Sequence, residues 1–74
     1  MPKLPRISGD EAIKVFETIG FKIVRQKGSH VVLRRNETGC VIPVHKILAI
    51  GTLRSAIRQA GITPEEFISS YESR

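Results

Sequence analysis

Tryptophan is absent, aromatic residues make up 5% of the chain, and cysteine and methionine occur once each. Each scarcity excludes something. With Phe16, Phe21, Phe67 and Tyr71 as the whole aromatic complement, the interior has to be built mainly from Ile, Leu and Val. In 74 residues that can be only one core of marginal size, so a single domain over residues 1–74 is expected, with apolar surface left for a partner to complete. Cys40 has no second thiol to pair with, which excludes an internal disulfide and a thiolate cluster for zinc or iron. A reducing, cytoplasmic setting fits. No apolar run approaches the ~20 residues of a membrane span. The opening Met1 to Arg6, broken by two prolines, does not read as a signal peptide, so a soluble chain without a membrane association is expected.

Acidic residues are also scarce where they would matter. Asp10, Glu11, Glu17, Glu65, Glu66 and Glu72 sit toward the ends, and Glu37 is the only acid between Glu17 and Glu65. From Lys22 to Arg58 the bases are Lys22, Arg25, Lys27, Arg34, Arg35, Lys46, Arg54 and Arg58, eight positive charges against one negative, within a net charge of +5. Ordinary solvated faces mix both signs, so this block points to an anionic partner, with a phosphate backbone foremost.

The elements announce themselves through their ends. Ser8 with Glu11 makes a capping box; Ala12, Ile13, Phe16 and Ile19 recur at helical spacing, and Gly20 supplies the stop, which predicts a helix over Gly9 to Ile19. From Phe21 the period changes toward two, with Phe21 and Ile23 on one side and Lys22, Val24 and Gln26 on the other, up to a turn at Lys27-Gly28-Ser29. Val31 and Leu33 alternate with His30, Val32 and Arg34; after a turn at Asn36 to Gly39, Cys40, Ile42 and Val44 alternate with Val41, Pro43 and His45. Pro43 donates no hydrogen bond, so the third strand is expected at a sheet edge or ending there. Gly51-Thr52 precedes a second helix with Leu53, Ala56, Ile57 and Ala60 as its apolar stripe, closed by Gly61, and Thr63-Pro64-Glu65-Glu66 opens a short third one. The expected fold class is α+β, a single two-layer domain in the order αβββα with a short C-terminal helix.

If Phe21, Ile23, Val31, Leu33, Cys40, Ile42 and Val44 face the helices, period two sends Lys22, Val24, Gln26, His30, Val32, Arg34, Val41 and His45 to the open face. Both histidines then share it. Cleavage of RNA without a metal needs a base to take the 2′-hydroxyl proton and an acid to protonate the leaving 5′-oxygen. One or two imidazoles with nearby cations can serve, leaving a 2′,3′-cyclic phosphate and a 5′-hydroxyl. Lys22, Lys27 and Arg34 are the candidate phosphate contacts, and Ser29 shapes the turn or touches phosphate. Two histidines and one cysteine without matching spacing do not make a zinc site. Cys40 falls on the core side, where an inert thiol is the usual outcome, and no glycine-rich phosphate loop of either common pattern is present.

The blocks Gly20-Phe21, Gln26-Lys27-Gly28-Ser29-His30, Ile42-Pro43-Val44-His45, Gly51-Thr52-Leu53-Arg54 and Gln59-Ala60-Gly61-Ile62 occur in this order over about residues 7 to 70. In them the chain resembles the HicA toxins. The resemblance implies a fold like double-stranded-RNA-binding domains and the role of an mRNA-cleaving toxin, a metal-independent endoribonuclease without cofactor that inhibits translation and growth. It implies that His30, with Gly28 and Ser29 in the Gly-Ser-His motif, is the catalytic residue. A HicB-like antitoxin would bind and mask it. His45 matches a histidine often found after the Pro-Val step. Lys46 to Ile50 departs from the pattern in being more apolar than a polar loop. Two rival readings are a non-catalytic RNA-binding module of the same fold and a domain that docks an acidic protein.

Overall fold

Ser8 Oγ accepts from the Glu11 N–H at 3.1 Å while the Glu11 carboxylate accepts from the Ser8 N–H at 3.1 Å, and this reciprocal cap starts helix α1 at Gly9–Ile19. Gly20 ends it in the left-handed region, φ 118°, as the sequence predicts. The computed structural model, which describes residues 3–73, continues with strands β1 (Lys22–Lys27), β2 (His30–Arg35) and β3 (Thr38–Pro43), then helices α2 (Ile50–Ala60) and α3 (Pro64–Glu72). The sheet is an antiparallel meander in the order β1-β2-β3, so the fold is the expected α+β arrangement. The strand carrying Pro43 both lies at an edge and ends at the proline.

The helices cover one face of the sheet. Val31, Leu33, Cys40 and Ile42, all at most 3% exposed, meet Phe16, Leu48, Leu53 and Ile57 there. Phe16 is the hub, with the rings of Phe21 and Phe67 each 5.3 Å from its own, so α1, the start of the sheet and α3 converge on one aromatic cluster. Helix α2 packs on β3, and α3 closes over α1 and α2. Thr63 and Glu66 repeat the reciprocal cap at α3. No helix among the described residues is long and apolar enough to cross a membrane.

Three local expectations are corrected, and the apolar character of the loop from Lys46 to Ile50 finds its reason. Ile23, assigned to the core by simple alternation, lies on the helix side opposite Leu33 but is 48% exposed, because β1 is an edge strand left uncovered along its length. Helix α2 starts at Ile50, so Gly51 and Thr52 lie inside its first turn and Ala49 caps it without a side-chain bond. Gly39 belongs to β3, since Asn36 takes the positive φ (55°) and the turn closes in two residues. The apolar loop is partly core: Leu48 is 1% exposed and its N–H donates to the Ile7 carbonyl at 2.8 Å, while Ile47 is 63% exposed.

Candidate active site

The turn Gly28-Ser29 joins β1 to β2 and delivers His30 as the first residue of β2. Gly28 has φ 59°, and an added Cβ would meet nothing within 4 Å; glycine is needed there for the backbone angle and not for room. Across the sheet His30 pairs with Lys27 on one side and Pro43 on the other. Val31 and Leu33 are buried beneath, so His30, Val32 and Arg34 point to the side away from the helices, where His30 and Arg34 are exposed.

The register of β1 decides what surrounds the imidazole. Lys22 pairs with Arg34 and Ile23 with Leu33, but beyond the bulge Arg25 pairs with Val32, Gln26 with Val31 and Lys27 with His30. Val24 is the extra residue. In an unbroken ladder Val24 would lie opposite Val32 and Gln26 opposite His30, as alternation predicted. Instead Arg25 and Lys27 take those places. The open face thus carries Lys22, Arg25, Lys27 and Arg34 around His30, and Gln26 turns to the helix side, where its amide donates to the Gly28 carbonyl at 3.1 Å and pins the turn. Arg25 is the residue that alternation left out.

Other candidates sort differently. His45 does not continue the strand: its N–H donates to the Pro43 carbonyl at 2.9 Å, a γ-turn at Val44, so strand parity says nothing about its side chain. Its backbone is held at the His30 end of the sheet. The Val44 N–H donates to the Ser29 carbonyl at 2.6 Å, and the His45 carbonyl accepts from Gly9 at the start of α1 at 2.9 Å. Both imidazoles are exposed. Arg34 crosses Gly39, where an added Cβ would come within 3.2 Å of its Cγ, and with Val32, Val41 and Gln59 it borders a shallow hollow of about 280 Å³.

Arg35 lies on the helix side, donates to the Ile19 carbonyl at 3.3 Å and sits 4.9 Å over the Phe21 ring, so its charge serves the C-terminus of α1. Cys40 is buried, and burial pushes its thiol up to about 12. No three His, Cys, Asp or Glu side chains gather closely enough among the described residues to hold a metal ion.

No curated protein matches the chain. A family model described as the HicA toxin of bacterial toxin-antitoxin matches residues 9–62, from the first residue of α1 to the segment between α2 and α3. That span contains the hairpin, its Gly-Ser-His turn and the whole basic face, the same blocks on which the resemblance rests. The chain belongs to the HicA toxin family of bacterial toxin-antitoxin systems.

Proposed function

We propose that this toxin is an endoribonuclease that cuts mRNA at its open sheet face, with His30 as the proton-transferring group. The observation that carries the reading is the setting of that imidazole: it is exposed at the head of β2, on a face to which Lys22, Arg25, Lys27 and Arg34 also belong. Four cations on one face neutralise several phosphates of a single strand, and the Gly28-Ser29 turn leaves backbone open for close approach. In the proposed reaction a base takes the 2′-hydroxyl proton, that oxygen attacks the adjacent phosphorus, and the bond to the 5′-oxygen breaks as an acid returns a proton to it. His30 supplies one of these transfers without a metal, and His45, tethered at the same end of the sheet, is the candidate for the other. The cations steady the charge gathering on phosphate.

A HicB-like antitoxin neutralises the toxin in this reading by covering the same face, where Val41 is 40% exposed beside half-buried Val32. The site of action is the cytoplasm, where both message and antitoxin are found. The decisive experiment is cleavage of a defined RNA in the presence of chelator by the wild type and His30→Ala, with end-group mapping. Fragments ending in cyclic phosphate are expected from the wild type, with a loss of at least ~100-fold in His30→Ala. RNA that is bound but left intact by both proteins would favour the non-catalytic binding module.

A further inference from the structure

Strand β1 is the least covered element of the fold. It lies at the edge of the sheet, all six of its residues are exposed, and it displays two large apolar side chains, Ile23 at 48% and Val24 at 54%. Its two sides differ sharply. Toward the helices, Ile23 with Ile13, Val31 and Val44 lines a cleft of about 300 Å³ between α1 and β1, with Asp10, Glu17, Lys14 and Gln26 as its polar lining. Toward the open face stand Lys22, Arg25 and Lys27.

An exposed strand edge is a template for another extended chain, whose side chains alternate between the two faces. Here the alternation is specified by charge. Residues turned to the cleft are favoured as apolar, because Ile13, Ile23, Val31 and Val44 offer them apolar surface and the two carboxylates of Asp10 and Glu17 outnumber the single cation of Lys14 beside them. Residues turned to the open face meet three cations and are favoured as Asp or Glu. A second copy of this chain is the wrong occupant, since β1 laid against β1 sets Lys22, Arg25 and Lys27 against the same three cations. The bulge at Val24 breaks the straight run, so the docked strand is short and indiscriminate pairing is discouraged.

We infer that the free edge of β1 takes an extended acidic segment of a partner protein as a fourth strand, with apolar side chains in the α1–β1 cleft and carboxylates on Lys22, Arg25 and Lys27. Such a segment occupies three of the four cations on the His30 face without covering the imidazole. Insofar as those cations hold RNA, a consequence that rests on the proposed nuclease reading, the strand would inhibit by charge capture.

The test titrates the full 15N-labelled chain with acetyl-EVEIEVE-amide, and with acetyl-KVKIKVK-amide as control. The acidic peptide is expected to bind, to raise hydrogen-exchange protection of the Lys22 to Lys27 amides, and to shift the resonances of Ile13 and Ile23. The basic peptide is expected not to bind. Ile23→Lys, at a half-exposed position, separates strand docking from charge attraction: docking predicts at least tenfold weaker binding, whereas a purely electrostatic contact becomes tighter. The inference is overturned by no binding, by shifts spread over the His30 face with unchanged β1 protection, by tighter binding to Ile23→Lys, or by self-association through β1 in the peptide-free chain. None of these readouts depends on RNA cleavage, so an inactive nuclease and an unoccupied edge give different results.

Discussion

Arg25 and Gln26 are neighbours with opposite assignments, and the difference of one position is measurable. If Arg25 faces phosphate, Arg25→Ala weakens binding to single-stranded RNA and flattens the slope of log K against log salt by about 0.7. Gln26→Ala leaves that slope unchanged and instead loosens the hairpin by about 0.5 kcal/mol in denaturant unfolding, the value of an exposed hydrogen bond. A salt slope that responds to Gln26 and not to Arg25 would mean that β1 lacks the bulge. Cys40 makes a second residue-scale case. Its thiol has an ordinary value of 9.0 and is raised to about 12 by burial, so the folded state keeps a proton that the unfolded state releases first. The stability it supports is fully present below pH 9 and falls between pH 9 and about 12, by about 1.4 kcal/mol per unit. Unfolding of the wild type at pH 8 and pH 10.5 should therefore show a loss that Cys40→Ala does not share.

Among the elements, α1 is anchored by its first residue. An alanine Cβ at Gly9 would meet the Pro43 carbonyl oxygen and come within 2.9 Å of the Val44 Cα, both backbone atoms that cannot swing aside. Alanine improves helix propensity by about 1 kcal/mol, yet this contact should win, and Gly9→Ala is expected to destabilise by about 1–3 kcal/mol in a thermal melt. An unchanged or raised Tm would show that the helix is not seated on segment 43–45. The bulge of β1 offers the complementary element-scale test. Deleting Val24 leaves Lys22, Ile23, Arg25, Gln26 and Lys27 in the pairings they already have, now as a regular ladder. The deletion should fold with a Tm within a few degrees of the wild type and keep RNA affinity within about twofold. A large loss of affinity would assign Val24 a role beyond spacing.

At the scale of the molecule, one sheet face is fully used and the other is not. Phe16, Phe21 and Phe67 gather the buried side into one core, while the open side carries cations, His30 and the pair Val32 and Val41. A domain of this size is marginal, so whatever binds the native state shifts its melting strongly; antitoxin at 100 times its Kd adds about 2.7 kcal/mol. In the proposed complex Val32→Asp weakens antitoxin binding and removes most of that stabilisation, with little change in the isolated toxin because Val32 lies outside the core cluster. Calorimetric titration with unaltered affinity would remove the valine pair from the interface.

Element order was legible because the signals are local. Ser8 with Glu11, Thr63 with Glu66, and the left-handed glycines at 20 and 61 each satisfy backbone groups within a few residues of themselves, so they act before any tertiary contact exists. The Gly-Ser-His turn and the burial of Val31, Leu33, Cys40 and Ile42 follow from equally short patterns. The surroundings of His30 do not. Counting from Phe21, which is buried, odd positions of β1 should face the core; counting back from the two-residue turn, whose partner His30 faces outward, even positions should. Two long-range constraints disagree by one residue, and only the assembled sheet resolves them, by bulging at Val24. The cations at 22, 25 and 27, with Ile23 and Val24 adjacent, are the faint trace of that conflict in the sequence. His45 and Arg35 were decided in the same way, one by the γ-turn and Gly9 contact that take it off the strand, the other by the end of α1 that claims its charge.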